Sequence, residues 1–428
     1  MRSIKIKPIK KLSGNLRLAG DKSISHRAVM IGAIAEGVTR VKNILDCDDC
    51  NYTIEAFRRM GVSIRNVKNE TIITGSGLKG LKKPSVAKIF VGNSGTTMRI
   101  LAGILAGQDF ETSLEGDTSL SNRPMMRITE PLSQMGVDIR ASTGGYPPLK
   151  IKGGLVNPID YRMPIPSAQV KSAILFAGLY AKGTTSVEEA FKSRDHTERM
   201  LKLFGSKIKV DGLKISVEGG VELEGRSFDI PGDISSASFF MAGGVLLNDS
   251  KIRIERVSIN PTRAGILKIM SGMGADIRIH NKADLFEPAG DVEVETSRTK
   301  GIVIGESEIP GIIDELPIIF VLAALSKGRT VIRGAEELRV KETDRINSMK
   351  ANLEKMGADI EITKNEIVIN GVKELKGSKN LRSFGDHRTC MAMTIAALAA
   401  KGESEIDDID CVNKSFPEFF NYLKKLEG

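Results

Sequence analysis

The chain has 428 residues, of which 41% are hydrophobic and 27% charged, and it carries a net charge of +9. That length allows two or more domains around a large core, and no apolar run approaches the length needed to cross a membrane. The positive balance favours anionic partners, whereas 5% aromatic residues, the absence of Trp and the lack of any dense Lys/Arg block argue against nucleic acid.

The N-terminal run MRSIKIKPIKK alternates like a strand and has no apolar signal core, so a cytoplasmic protein is expected. A second alternating strand, Asn15 to Ala19, leads into GDKSISHR at 20–27, and an apolar-periodic run through Ala28, Ile31 and Ile34 follows. This is a strand-to-helix turn, where outward-pointing N–H groups and the helix dipole favour an anion. Lys22, Ser23 and Arg27 add an ammonium, a hydroxyl and a guanidinium within one turn. The plain alternative is a capped helix with two solvated cations. Further on, Cys47 and Cys50 form a CxxC, but Cys390 and Cys411 are far apart in sequence and no His is spaced to complete a metal site. Asp48 and Asp49 between them suit the start of a helix carrying Ile54, Phe57 and Met60, so no metal is expected. GSGLKG at 75–80 fits a dinucleotide-loop pattern, yet Lys82, Lys83 and Pro84 stand where its helix should begin, and GNSGTT lacks the ending of an ATP loop.

Self-similarity organises the whole chain. An apolar, Ala-rich helix closed by Gly or Asn and followed by a β-rich run occurs six times, with closing residues Gly37, Gly107, Gly183, Asn248, Gly328 and Gly402 spaced 65–80 residues apart. An amphipathic helix ending in a glycine cap recurs at the same interval, with Gly61, Gly136, Gly205, Gly274 and Gly357 as caps. The sixth such helix, FNYLKKLEG, runs to Gly428, and its missing strands are expected from the N-terminal run Ile4 to Ile9, so that the array closes on itself. Each repeat reads strand, helix, strand, helix, strand, strand. Three repeats per domain is the natural split: one domain of residues 13–230 and another of 1–12 plus 231–428. The Ala/Leu/Ile helices are apolar nearly all round and should lie inside, covered by sheets.

Each buried helix is preceded by a polar segment: DKSISHR, NSGTTMR, PSAQVKS, GDISSAS, IDELP and GDHRTCM. Most carry Ser, Thr, Asp or Asn at a capping position. Three parallel helices per domain would gather their N-termini on one face, and two such faces would suit a strongly anionic small molecule. Repulsion between the faces until an anion neutralises them would make the domains close on their ligand.

The segments GDKS (20–23), GNSGTTMR (92–99), NRP (122–124), SAQVK (167–171), RDHT (194–197), NPTR (260–263), IDELP (313–317), RVKETDR (339–345), GDHR (385–388) and KSFPEFF (414–420) resemble, in order and over the whole length, the 5-enolpyruvylshikimate-3-phosphate synthase family, in its bacterial class II form. The resemblance implies a two-domain inside-out α/β barrel of six repeats, three per domain. It also implies transfer of the enolpyruvyl group of phosphoenolpyruvate to the 5-hydroxyl of shikimate 3-phosphate in aromatic amino-acid biosynthesis. No cofactor, a monomer, and glyphosate as a competitor for the phosphoenolpyruvate site are expected with it.

On that resemblance Asp314 is the base at the 5-hydroxyl and Glu342 exchanges a proton with the methylene carbon. Their plain readings are a helix N-cap and an i,i+3 partner of Arg345. Lys22 contacts the phosphate of phosphoenolpyruvate; Arg123, Arg345 and Arg388 grip its carboxylate and phosphate; the backbone at Gly95 approaches closely; Gln169 and the mobile Lys414 complete the set. Shikimate 3-phosphate is matched to Lys22, Ser23, Arg27, Ser167, Ala168, Gln169, Arg194, Asp314 and Lys341. His387 is either a proton shuttle or a structural cap. Gly95, together with the SAQVK, RDHT and NPTR patterns, suggests intermediate glyphosate sensitivity. Two rivals remain: the UDP-N-acetylglucosamine enolpyruvyl transferase, whose reactive cysteine has no counterpart between Glu111 and Arg127, and a non-catalytic anion-binding scaffold.

Overall fold

The structure is a computed structural model that describes residues 2–427; Gly428, the expected end of the last helix, lies outside them. Two compact units form, one from the residues up to Leu18 together with those from Pro231 onward, the other from Ala19–Ile230.

Every repeat is built around a helix with no polar face. Leu316–Ala324 is buried at all nine positions and His387–Leu398 at all twelve, as their all-round apolar sequences require. The helices Lys22–Ile34, Gly95–Leu105, Ala168–Gly178 and Ile234–Leu246 are the counterparts in the other repeats. A strand follows each one, then a second helix that is buried on one face only. Asp48–Arg59, for example, buries Cys50, Thr53, Ile54, Ala56 and Phe57, with Asp48 and Asp49 in its first turn and Arg58 and Arg59 in its last. An antiparallel hairpin completes the unit, as in Ser63–Val67 with Glu70–Thr74, where Ile64 faces Ile73 and both are buried.

In five repeats the hairpin, the inner strand and a parallel edge strand make a four-stranded sheet. The glycines that end the amphipathic helices, Gly61, Gly136, Gly205, Gly274 and Gly357, have φ of 85–94°. That is the left-handed conformation in which a side chain costs about 1–2 kcal/mol. Of the residues expected to close the buried helices, Gly37, Gly183, Gly328 and Gly402 also have positive φ. Gly107 does not: it lies where a Cβ would fall 2.0 Å from the ring of Tyr180, so close packing fixes it. In the fourth repeat the left-handed residue is Asp249, one place after Asn248.

Two expectations about closure are corrected. The second strand is Ser13–Arg17 rather than Asn15 to Ala19, and it pairs in parallel with Lys251–Ser258, which puts it in the unit of repeats four to six instead of opening a domain at residue 13. The other unit takes its parallel edge strand from its own end, where Ser227–Asp229 pairs with Val38–Lys42. The sixth repeat gains one strand from the N-terminus, Ile4–Ile6, antiparallel to Ser404–Ile406, and not a pair reaching Ile9. Pro8 has no N–H to donate to a ladder, and Ile9 N–H bonds to the Leu398 carbonyl instead. No described helix is long and apolar enough to cross a membrane.

Candidate active site

In the unit of residues 19–230 the three buried helices begin side by side. Asp21 caps the first, accepting from Ile24 N at 3.0 Å. Ser94 caps the second, accepting from Thr97 N at 3.2 Å, and Ser167 caps the third, accepting from Val170 N. Lys22, the first helical residue, sends its ammonium to Asp49 at 3.0 Å, with both side chains more than four-fifths buried. Arg27 is buried, not solvated. Its Nε donates to Thr197 Oγ1 at 2.6 Å, one Nη to the Ser23 carbonyl and the other to Ser172 Oγ, which joins the starts of three helices. Arg99 and Gln169 join the second and third helices at 2.8 Å, and Gln169 also donates to Thr96 Oγ1.

Gly95 opens the second helix between two guanidinium groups, so that a Cβ there would lie 2.9 Å from Arg99 Nη1 and 3.4 Å from Arg123 Nη1. Arg123 is 7% exposed and donates to Asn93 Oδ1 at 2.7 Å. Ala168 follows the Ser167 cap, and half-buried Arg194 precedes the His196–Leu203 helix on a turn that Glu189 fastens through the N–H and hydroxyl of Ser193.

The other unit gathers carboxylates among its cations. Asp314 is not the N-cap of the fifth buried helix; that position is Glu315, whose side chain turns inward to Arg263 at 2.7 Å. The Asp314 carboxylate instead lies 3.4 Å from Arg345 Nη1 and 3.6 Å from Arg388 Nε, while Arg388 Nη1 donates to the Asp314 carbonyl at 3.0 Å. Glu342 accepts from Arg345 Nη2, so its i,i+3 pairing is real. Burial alone would lower the Arg345 pKa, but Asp386, Glu342 and Asp314 together hold it above its ordinary value. Burial lowers the Lys341 pKa, with the Asp314 carboxylate acting in the opposite direction and Arg345 in the same one. Lys414 donates to the Gly385 carbonyl at 2.9 Å. His387 is buried at the first position of the sixth buried helix, and the cap there is Asp386, which removes the structural-cap reading of His387.

Each unit thus brings its own share of the expected residues to its helix starts. Sequence reasoning missed the carboxylates that hold them, Asp49 and Asp386, and the guanidinium of Arg99; the quoted motifs contained the last two but gave no sign of their partners. The remaining capping residue, Asp233, accepts from Ser235 N and from Arg263, which ties the fourth helix start to the fifth through Glu315. Among the described residues no group of three or more His, Cys, Asp or Glu could hold a metal ion.

Within each unit the buried helices thus carry capped N-termini beside paired cations, and in the unit from Pro231 onward two carboxylates, Asp314 and Glu342, are set among those cations. The enolpyruvyl transferase NikO from Streptomyces tendae shares the fold at a TM-score of 0.79 and 17% identity, over 99% of this chain and 96% of that one. A family model described as EPSP synthase (3-phosphoshikimate 1-carboxyvinyltransferase) matches residues 6–423. The chain is 48% identical to the 3-phosphoshikimate 1-carboxyvinyltransferase of Bacillus cytotoxicus over 97% of its own length and 98% of the relative's, and 47% identical to that of Bacillus subtilis over 98% of each. The EPSP synthase of Acinetobacter baumannii superposes with a TM-score of 0.89 at 43% identity, covering 100% of this chain and 98% of that one. The chain belongs to the EPSP synthase family.

Proposed function

We propose that this transferase, which moves the carboxyvinyl group of phosphoenolpyruvate to the 5-hydroxyl of shikimate 3-phosphate and releases phosphate, uses Asp314 and Glu342 as its proton-transferring pair. Asp314 takes the proton of the 5-hydroxyl as that oxygen bonds to C2 of phosphoenolpyruvate. Glu342 gives a proton to C3, forming a tetrahedral intermediate, then removes one from the same carbon as the C2–O bond to phosphate breaks. Lys22, Gly95, Arg123, Gln169, Arg345, Arg388 and Lys414 hold phosphoenolpyruvate and the departing phosphate, where fixed donors stabilise charge as it develops. Lys22, Ser23, Arg27, Ser167, Ala168, Gln169, Arg194, Asp314 and Lys341 hold shikimate 3-phosphate, and Lys22, Lys414 and His387 assist proton return.

The observation that carries this reading is the Asp314 carboxylate beside both Arg345 and Arg388, with Glu342 on the same Arg345. A scaffold that only bound anions would be weakened by these carboxylates, which repel its ligand. Phosphate release on mixing the protein with phosphoenolpyruvate and shikimate 3-phosphate tests it. Silence with that pair, but release with UDP-N-acetylglucosamine, would reassign the acceptor.

The same reading extends to a monomeric, cytoplasmic enzyme without nucleic-acid or membrane partners, inhibited by glyphosate in competition with phosphoenolpyruvate at intermediate affinity. A nanomolar inhibition constant would contradict the last point.

A further inference from the structure

A chain of buried hydroxyls runs from an imidazole to the helix start at Gly95. His26 is wholly buried, and its Nδ1 lies 2.7 Å from Thr53 Oγ1. Thr53 Oγ1 lies 2.7 Å from Thr97 Oγ1, which in turn is 2.7 Å from Ser94 Oγ, the cap of the Gly95–Leu105 helix. Three helices are joined: His26 is on the one that begins with Lys22, Thr53 on the one that carries Asp49, and Thr97 on the one that begins with Gly95. Thr53 also reaches back to the Asp49 carbonyl at 3.4 Å, and the Asp49 carboxylate holds Lys22 Nζ. One ring therefore braces both the ammonium and the helix N-terminus read above as phosphoenolpyruvate contacts.

The other ring nitrogen decides the tautomer. His26 Nε2 is buried and has no hydrogen-bond partner. A proton there would be an orphaned donor, the costlier kind of buried defect, whereas a bare lone pair is better tolerated. With the proton on Nδ1, His26 donates to Thr53 Oγ1. That oxygen has a second lone pair for Thr97 and can donate to the Asp49 carbonyl, and Ser94 can donate to Thr97, so every hydroxyl proton in the chain has an acceptor.

We propose that His26 is a positioning residue, fixed as the neutral Nδ1–H tautomer, that holds Lys22 and the Ser94–Gly95 helix start in register for phosphoenolpyruvate. Burial, with Lys22 and Arg27 nearby, pushes its pKa well below the ordinary value, in keeping with a neutral ring.

Two measurements test this. The chain has four histidines, so long-range proton–nitrogen correlation on protein labelled with 15N-histidine resolves each ring, and the signal lost in His26→Asn belongs to His26. Its proton is expected on Nδ1; a proton on Nε2, or on both nitrogens at neutral pH, overturns the assignment. The second is steady-state kinetics. Thr97→Val keeps the shape but removes the hydroxyl, and it should raise the KM for phosphoenolpyruvate about fivefold with kcat within about twofold. His26→Gln, whose amide reaches the Nε2 position, should do the same, while His26→Asn, whose amide nitrogen replaces Nδ1, should restore most of the affinity. Unchanged KM in Thr97→Val overturns the proposal, as does equal loss in the Asn and Gln variants. The inference rests on the reading of Lys22 as a phosphoenolpyruvate ligand, and Lys22→Met separates the two. If its KM is also unchanged, that reading fails; if its KM rises while Thr97→Val is normal, only the bracing role fails.

Discussion

Asp386 holds Arg345 with one carboxylate oxygen and caps a helix with the other. Its Oδ2 lies 2.8 Å from Arg345 Nε, and its Oδ1 accepts from Arg388 N at 2.7 Å and Thr389 N at 3.2 Å. One buried side chain thus sets the Arg345 guanidinium against the same helix start that carries His387 and Arg388.

Asp386→Asn should therefore be far more disruptive than its near-isosteric change suggests. The amide can keep the capping oxygen, but it then points N–H groups at Arg345, which is 1% exposed and cannot turn to water. Breaking one partner of a buried ion pair costs about 3–5 kcal/mol. A urea midpoint lowered to that extent, together with a raised KM for phosphoenolpyruvate, is expected. A variant as stable as the parent would show that Glu342 and Asp314 alone suffice for Arg345.

Asp314→Asn separates chemistry from stability. The Asp314 side chain is 18% exposed, and Arg345 keeps Asp386 and Glu342 when its charge is removed. The melting temperature should move by only a few degrees, while kcat falls about 10²- to 10⁴-fold, the usual contribution of a positioned base. Near-normal kcat would remove Asp314 from the proton-transfer pair.

The repeat architecture was legible because its signals are local. Left-handed glycine caps, helices apolar on all sides and side-chain caps such as Asp21, Ser94 and Asp386 each depend on a few adjacent residues. What could not be read was which strand completes which sheet. Ser13–Arg17 reaches across more than 230 residues to pair with Lys251–Ser258, and a parallel edge strand leaves no turn signal to mark its partner. The same limit applied to the site. Lys22 and Arg388 stood out as cations in polar helix starts and Arg345 through the RVKETDR resemblance, but their counter-charges Asp49, Asp386 and Asp314 are chosen by tertiary contact. His26 gave no signal beyond its place in GDKSISHR, since its neighbours Thr53 and Thr97 come from two other helices.

Gly95→Ala should fold normally and bind phosphoenolpyruvate poorly. Gly95 is not in the left-handed region, so alanine brings no backbone strain there. The new methyl meets the ends of Arg99 and Arg123, flexible groups that can move but would lose their present positions beside Gln169 and Asn93. Small displacements of binding groups are expensive, and KM is expected to rise about tenfold or more. An unchanged KM would mean that the anion does not approach this helix start.

Acid should weaken the fold through His26. The unfolded imidazole titrates near 6.5, whereas burial and the adjacent Lys22 and Arg27 hold the folded one well below that. Between the two values the unfolded chain binds a proton that the folded chain does not, so unfolding free energy falls as pH falls from about 6.5 and is independent of this group above it. Urea midpoints at pH 7 and pH 5 should drop more in the parent than in His26→Asn, which has no imidazole to charge. Equal drops would mean that other groups dominate.

The last prediction concerns another buried cation, Lys171 of the SAQVK motif, whose ammonium is paired with carboxylates outside the proposed substrate contacts. Lys171 Nζ lies 2.7 Å from both Glu189 and Glu198, and all three side chains are at most 4% exposed. Burial works to lower the Lys171 pKa, but the two carboxylates outweigh it and hold the pKa above its ordinary value. For Glu198 burial prevails over Lys171, and its pKa is raised. Glu189 also fastens Ser193, the residue before Arg194. Lys171→Met would leave two carboxylates buried without their cation, a loss of about 3–5 kcal/mol near neutral pH. The Glu198 pKa, already raised by burial in the parent, would then rise further, so the folded state would take up that proton at a higher pH than the unfolded one, and the variant should regain more stability on acidification than the parent does. Adding Glu189→Gln and Glu198→Gln to Lys171→Met should recover much of the loss. A triple variant no more stable than Lys171→Met would show that the ammonium contributes packing and hydrogen bonds rather than charge compensation.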